Sequence, residues 1–407
     1  MNRLSRFAGT LQEGSLYVLL FLLPFSKAAI EIMFGFLLAG WLLERVNPAT
    51  RFDTVWARPP LRKLAIAVAG FLAVCALSIA VSDYPSKSLS GFVNKWVEYL
   101  LFLVIAADVG ARPGVVSRAA VVLACSSLFV IVEVATQWRF GRGIFRGYPL
   151  SYYGRATGPY ENPIDLATYL MVILPVLLSF LLARRTRLRG LLWVLFVPLV
   201  LCFAGTEALG AWLGLGIGIM FMMRTAALRW SAVVLLIGVA ITAGVLLHSR
   251  HHLSGTLSLS EIGKVDRWMM WQAAFGMIRD RPILGHGVNT FMANYLKYWV
   301  GGEQQPRYAH NCYLQVAAET GVVGLSLFLA LLGAFFGHLV RRLRSMAHDN
   351  RIILSGLMAG LIAFAVQAGY DTNFYALRQA ALFWVLAGLA LGFSERPLTA
   401  VPGSPLS

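Results

Sequence analysis

The chain has 407 residues, 58% of them hydrophobic and only 13% charged, about half the ~25% usual for soluble domains. Apolar runs of helical length recur from end to end, which excludes a soluble globular enzyme and a β-barrel and predicts an all-α integral membrane protein. The formal net charge of +16 would suggest nucleic acid in a soluble protein, but basic cytoplasmic loops account for much of it here, and no nucleic-acid partner is expected.

In chain order, hydropathy predicts about 12 transmembrane helices, near 15–26, 28–44, 62–82, 90–109, 114–136, 163–183, 190–204, 207–223, 229–248, 313–340, 352–370 and 376–394. The first run lacks a small-residue cleavage pattern and leads into the second, so it reads as half of a hairpin around Pro24 to Lys27 and not as a signal peptide. Lys95 and Glu98 lie three apart in the fourth span and read as an ion pair on one helix face; contact of Lys95 with a phosphate is the second reading. Glu161 and Asp165 flank Asn162-Pro163 and read as capping the sixth span; orienting the site is their second reading. Cys75, Cys125, Cys202 and Cys312 show neither metal-ligand nor disulfide spacing and read as packing residues. With no repeat or linker, residues 1–407 form a single polytopic domain.

One set of alternate loops holds Arg45, Arg51, Arg58, Arg112, Arg118, Arg184, Arg185, Arg187, Arg341, Arg342, Arg344 and Arg396, whereas the short loops between them hold only Lys27, Lys87 and Arg378. The basic set is therefore expected in the cytoplasm, with both termini. Two longer loops on the other side break the pattern. Residues 138–162 carry Arg139, Arg142, Arg146 and Arg155. Residues 248–312, a helical periplasmic cap between helices 9 and 10, carry Arg250, Lys264, Arg267, Arg279, Arg281, Lys297 and Arg307 against Glu261, Asp266, Asp280 and Glu303. Outer arginine in excess points to an anionic ligand; nonspecific contact with lipid phosphates is the alternative.

Within the cap, 266–281 reads as an amphipathic helix with Asp266 as its N-cap, Arg267 in its first turn and Pro282 as its stop. Arg267, Trp271, Ala274 and Ile278 then share a face. A guanidinium beside free helix N–H groups suits a phosphate, and a surface ion pair is the plain alternative. Gly285-His286-Gly287 reads as a turn, and Asn289 as the cap of a second helix near 290–300. His310 precedes Asn311 at the edge of the next span, where a neutral imidazole can take a proton from a hydroxyl; an interfacial histidine bonded to backbone is the other reading. Asn311 itself reads as a span cap. His251 and His252 have no supporting pattern.

Arg267-x3-Trp271, Arg281-Pro282-Ile283-Leu284-Gly285-His286-Gly287-x3-Phe291, His310-Asn311-x-Tyr313-Leu314-Gln315 and Glu319-Thr320-Gly321-x2-Gly324, in that order, resemble the O-antigen ligase family, as does Gly158-Pro159-Tyr160-Glu161-Asn162-Pro163. The resemblance implies transfer of O-antigen polysaccharide from undecaprenyl pyrophosphate to a sugar hydroxyl of lipid A–core, on the periplasmic face of the bacterial inner membrane. It implies catalytic roles for His310 and Arg267, with Asn311, Trp271, Tyr313 and Glu207 in support. Arg155, Arg146, Arg142 and Arg139 are further candidates for the pyrophosphate. The family's arginine near the start of the eighth span is missing: Gly205-Thr206-Glu207-Ala208-Leu209-Gly210 stands there, which moves that role toward Arg155 or a neighbour. O-antigen polymerases and protein O-oligosaccharyltransferases share the resemblance. A lipid or glycan transporter is the reading from another class, but neither repeats nor paired broken spans support it. No metal or cofactor is expected, because the loops lack an Asp-x-Asp pair, a His/Cys cluster and a P-loop.

Overall fold

The computed structural model describes residues 3–46, 54–151, 154–183, 189–224, 258–301, 305 and 307–396. The ninth expected span at 229–248, with Arg51, Arg184, Arg185, Arg187, Arg250, His251, His252 and Glu303, lies outside the described residues. The helices are α1 (Arg3–Leu22), α2 (Lys27–Val46), α3 (Arg62–Ala80), α4 (Pro85–Gly110), α5 (Val115–Phe140), α6 (Pro163–Leu182), α7 (Arg189–Ala204), α8 (Leu209–Met222), α9 (Ser258–Asp280), α10 (Phe291–Asn294), α11 (Cys312–Leu343), α12 (His348–Gln367) and α13 (Leu377–Ser394). Among the described residues there is no strand, only a single bridge between Arg142 and Pro149. Every expected span but the ninth overlaps a helix. Seven of them are long and apolar enough to cross a membrane, and two more, Leu192–Ala204 and Leu209–Met222, are apolar but shorter. The first helix begins at Arg3, well before residue 15, because its polar turn still buries Ser5, Ala8 and Gln12.

Small residues let the helices meet at backbone distance, the packing that apolar surroundings favour. On α12, Gly356 and Gly360 lie one turn apart against α6; a Cβ on Gly360 would stand 2.5 Å from the Val172 carbonyl oxygen. On the other flank of α12, Gly214 and Gly218 of α8 approach the carbonyls of Ala363 and Ala359. Gly388 and Gly392 bring α13 onto α4 in the same way. The cap of α6 is Asn162 and not Glu161 or Asp165: its side chain accepts from the Asp165 N–H at 2.9 Å, with Pro163 in the first helical position.

One end of the bundle is held by ion pairs. Arg112 meets Glu44 at 2.9 Å, Arg118 meets Glu13 at 2.7 Å, Arg342 meets Glu395 at 3.1 Å, and Arg45 pairs with Asp108. Arg58 and His338 also reach Glu395, while Arg396 donates to the carbonyls of Gly110 and Arg112. These arginines belong to the basic alternate-loop set. The connections carrying the candidate site residues lie at the opposite end.

Lys95 and Glu98 form no ion pair. A π-helical segment, Phe92–Val97, winds α4 with i→i+5 bonds and rotates the two apart. Lys95 faces the rings of Tyr375 and Tyr308 instead, at 5.3 and 5.9 Å.

Candidate functional site

The amphipathic helix of the cap is longer than expected. It begins by Ser258, so Asp266 is not its N-cap, and Arg267 lies in its third turn, away from any free N–H groups. Its buried stripe is Met270, Ala273, Ala274 and Met277, which closes a small core with Phe291, Tyr295, Ala309 and Ala318. Arg267 continues that stripe one turn toward the N-terminus. Trp271 lies beside the stripe, not in it, and has a buried indole N–H without a hydrogen-bond partner among the described residues.

The helix stops at Asp280 before Pro282, and the following turn is keyed into a break in α11. Gly321 there has φ 70° and ψ −177°, a conformation open to glycine alone. The opened ladder frees the carbonyls of Ala318 and Glu319, which accept from the N–H groups of His286 (3.1 Å) and Gly287 (2.9 Å). Val322 N–H donates to the Pro282 carbonyl at 2.8 Å. Asn289 does not cap the next helix. The buried Glu319 carboxylate does so from a distance, accepting from Asn289 N–H (2.7 Å), Phe291 N–H (3.2 Å) and the Tyr375 hydroxyl (3.0 Å). His286 is buried, with Nε2 donating to the Met277 carbonyl at 3.1 Å. Burial, the main cause, holds its pKa below 6.5, opposed by that hydrogen bond. Asp83 accepts from Arg281 at 2.8 Å and Lys297 at 3.1 Å, tying the turn to the end of α3; these bonds hold its pKa below 3.8.

A cavity of about 350 Å³ opens beside this assembly, lined by Arg155, Ile164, Glu207 to Ala211, Arg267, Gln367, Tyr370 and Asp371. The loop before α6, the break between α7 and α8, helix α9 and the turn after α12 thus converge. Arg155 crosses the α7–α8 break: its Nε donates to the Thr206 carbonyl at 2.7 Å, and the next residue, Ala156, donates its N–H to Gly205 at 2.8 Å. It therefore stands beside the stretch where the resemblance expected an arginine. Arg267 faces the cavity from α9. The formal charges of Arg155 and Arg267 are balanced by Glu207 and Asp371, so an anion here would be recognised by directed guanidinium donors and not by a net field.

His310 stands against the cavity through Asp371, its Nδ1 at 3.2 Å from Oδ1. Asp371 went unnoticed in sequence; the signal was an acidic residue in the tight Gly369–Asn373 turn between two spans, with its partner 61 residues earlier. Cys312 stitches the two segments together, its N–H donating to the carbonyls of Ala368 and Asp371 and its thiol to Asp371. Asn311 caps α11 as expected, accepting from Tyr313 and Leu314 N–H at 3.0 Å. Tyr313 turns away from the cavity and donates its hydroxyl to the Ala365 carbonyl at 2.6 Å. Three non-glycine residues have positive φ among the described ones, and two are candidate site residues, Glu207 (51°) and His310 (46°). Such strain gathers where a side chain must be aimed.

The other loop arginines are not among the cavity lining. Arg139 lies over Phe140 at 5.4 Å. Arg142 is exposed on the bridged loop. Arg146 donates to the Tyr148 hydroxyl at 3.1 Å, and its N–H donates to the buried Glu133.

Residues 194–329 match the family model described as O-antigen ligase. The match runs from α7 through α9 and the His310 segment into α11. No curated protein matches the chain.

Proposed function

We propose that this chain, which belongs to the O-antigen ligase family, transfers O-antigen polysaccharide from undecaprenyl pyrophosphate to a sugar hydroxyl of lipid A–core. Membrane glycosyl transfer of the ligase or polymerase kind is what the family supports. The observation that carries the finer reading is the His310–Asp371 pair set against a cavity that also holds Arg155 and Arg267.

The chemistry follows from those groups. The Asp371 carboxylate accepts a proton bond from His310 Nδ1–H, which leaves Nε2 as the free base. An acceptor hydroxyl gives its proton to Nε2 while its oxygen attacks the anomeric carbon. The bond from that carbon to the pyrophosphate oxygen breaks, and undecaprenyl pyrophosphate leaves with the electron pair. Arg267 and Arg155 neutralise the charge gathering on the diphosphate. Direct displacement inverts the anomeric centre. Lipid-phase charge rules put the arginine-paired end and both termini in the cytoplasm and the cavity in the periplasm, with the polyprenyl chain in the bilayer. Arg139, Arg142 and Arg146 then serve as an outer basic rim for lipid phosphates.

The test uses purified protein, lipid-linked glycan and two separate acceptors, lipid A–core and a second lipid-linked glycan. Extension of lipid A–core is expected; extension of the glycan alone makes the chain a polymerase. His310→Asn is the cleanest loss variant, because asparagine tolerates the left-handed backbone that alanine resists. It is expected to lower transfer by 10²–10⁴-fold, the usual worth of a general base. Arg267→Ala is expected to weaken use of the donor severely, and transfer is expected to persist in chelator. A His310→Asn protein with wild-type rates rules out the base.

A further inference from the structure

Helix α8 starts in the wall of the arginine cavity with its first backbone donors unpaired. It begins at Leu209 behind Ala208, whose backbone is extended and whose side chain has no oxygen to cap the first turn. Serine, threonine, aspartate or asparagine usually fills that position and accepts from the second or third N–H. Here the N–H groups of Ala211 and Trp212 turn back to the Ala208 carbonyl, at 3.0 and 3.1 Å. Those of Leu209 and Gly210 have no hydrogen-bond partner among the described residues. Both residues line the cavity.

A buried side chain of the same lining adds a further donor. Gln367, at the end of α12, is only 2% exposed. Its Oε1 accepts from the Thr168 hydroxyl at 2.8 Å, and its Nε2 has no partner among the described residues. Arg155 is pinned beside these groups by its bond to the Thr206 carbonyl, and Arg267 enters from α9. The formal charges of the lining cancel, Arg155 and Arg267 against Glu207 and Asp371. A helix start adds roughly half a positive charge, so it tips a balanced cavity toward an anion. Phosphate oxygens accept from main-chain, amide and guanidinium N–H groups alike.

We propose that the Leu209 and Gly210 N–H groups, with Gln367 Nε2, cradle one phosphate of the lipid-linked donor, standing in for the arginine that the resemblance expects near the start of the eighth span. The assignment rests on the donor reading above and gives it a main-chain component. Donors fixed in a helix need no reorganisation as charge gathers on the leaving diphosphate.

The experiment measures binding of undecaprenyl pyrophosphate to the full chain in phosphatidylcholine nanodiscs. Leu209→Pro deletes one N–H at the first helical position, where proline is favoured, and the extended Ala208 suits a following proline. Leu209→Ala removes the same side chain and keeps the N–H. The proline variant is expected to bind about tenfold more weakly than the alanine variant, the loss of one charge-assisted hydrogen bond. Ala208→Ser supplies the missing cap from within. It is expected to bind more weakly than wild type with no fall in melting temperature, a combination that a damaged fold does not give. Equal binding by the two Leu209 variants, with Arg267→Ala weakened, overturns the cradle and leaves the donor reading standing. Should Leu209→Pro fail to fold, Ala208→Ser decides, and wild-type binding by it overturns the cradle. Arg267→Ala that binds as tightly as wild type overturns the donor reading and the cradle with it. Phosphatidylglycerol that displaces undecaprenyl pyrophosphate at equal concentration makes this a headgroup site and overturns its assignment to the donor.

Discussion

His310 is held in a strained conformation by the two residues that follow it. Its φ of 46° is the kind of backbone cost, on the order of 1–2 kcal/mol for an L-residue, that persists only where surroundings enforce it. Asn311 capping α11 and Cys312 bonded to the Asp371 turn supply that enforcement. The pairing with Asp371 decides which imidazole nitrogen is free, so the carboxylate acts through the histidine. Asp371→Asn keeps the shape but can present an N–H to Nδ1 and favour the wrong tautomer. Transfer is expected to fall by about 10²-fold or more, with donor binding unaltered; a variant that loses donor binding and keeps its turnover contradicts the orienting role. Asn311 and His310 were legible as residues of interest because they sit at a hydropathy edge. Asp371 was not, because its importance exists only across the gap between two chain segments.

At the level of elements, the seam between the cap turn and α11 gives the glycine motif a physical meaning. A Cβ on Gly321 would meet the Ile283 carbonyl oxygen at 2.0 Å. Gly321→Ala is therefore expected to destabilise the protein by on the order of 3 kcal/mol, read as a lower melting temperature together with loss of transfer; wild-type melting would mean that the seam is not closed. The same seam buries His286. Its folded pKa lies below 6.5, so the folded state resists protonation while the unfolded chain accepts it. Its contribution is complete above pH 6.5 and is lost as pH falls from there through the lower folded value. Arg281, Asp280 and Asp83 act on it as well. Melting temperature is expected to drop between pH 7 and 5, and His286→Phe is expected to flatten that slope after losing about 1 kcal/mol with the Met277 bond; an equally steep slope in the variant assigns the effect elsewhere. The turn and the proline stop could be read from residue spacing, but the buried stripe of α9 is Met270, Ala273, Ala274 and Met277, which shares only Ala274 with the expected face of Arg267, Trp271, Ala274 and Ile278. The start of α9 could not, and neither could the Glu319 cap, because a carboxylate 30 residues away replaces the local one.

Across the whole molecule, the two ends of the bundle differ in kind. One is laced by partly buried arginine–carboxylate pairs; the other carries the cavity, the strained residues and the cap. Cysteine labelling tests which side each end faces. In a Cys125→Ala background, Gln305→Cys at the cavity end is expected to react with a membrane-impermeant maleimide in intact spheroplasts, and Arg344→Cys only after lysis; the opposite pattern reverses the topology. Among the described residues, hydropathy was enough to place the apolar helices, though not the start of the first, and the alternation of arginine to group the basic loops, because burial in lipid constrains each helix separately. The convergence of Arg155, Arg267, His310 and Asp371 needed the folded chain. Such residues lie far apart in sequence, and only helix packing through small side chains brings their loops to one place. The π-helical turn that separates Lys95 from Glu98 belongs to the same category, since spacing on an ideal helix predicts the pairing that packing against Tyr308 and Tyr375 undoes.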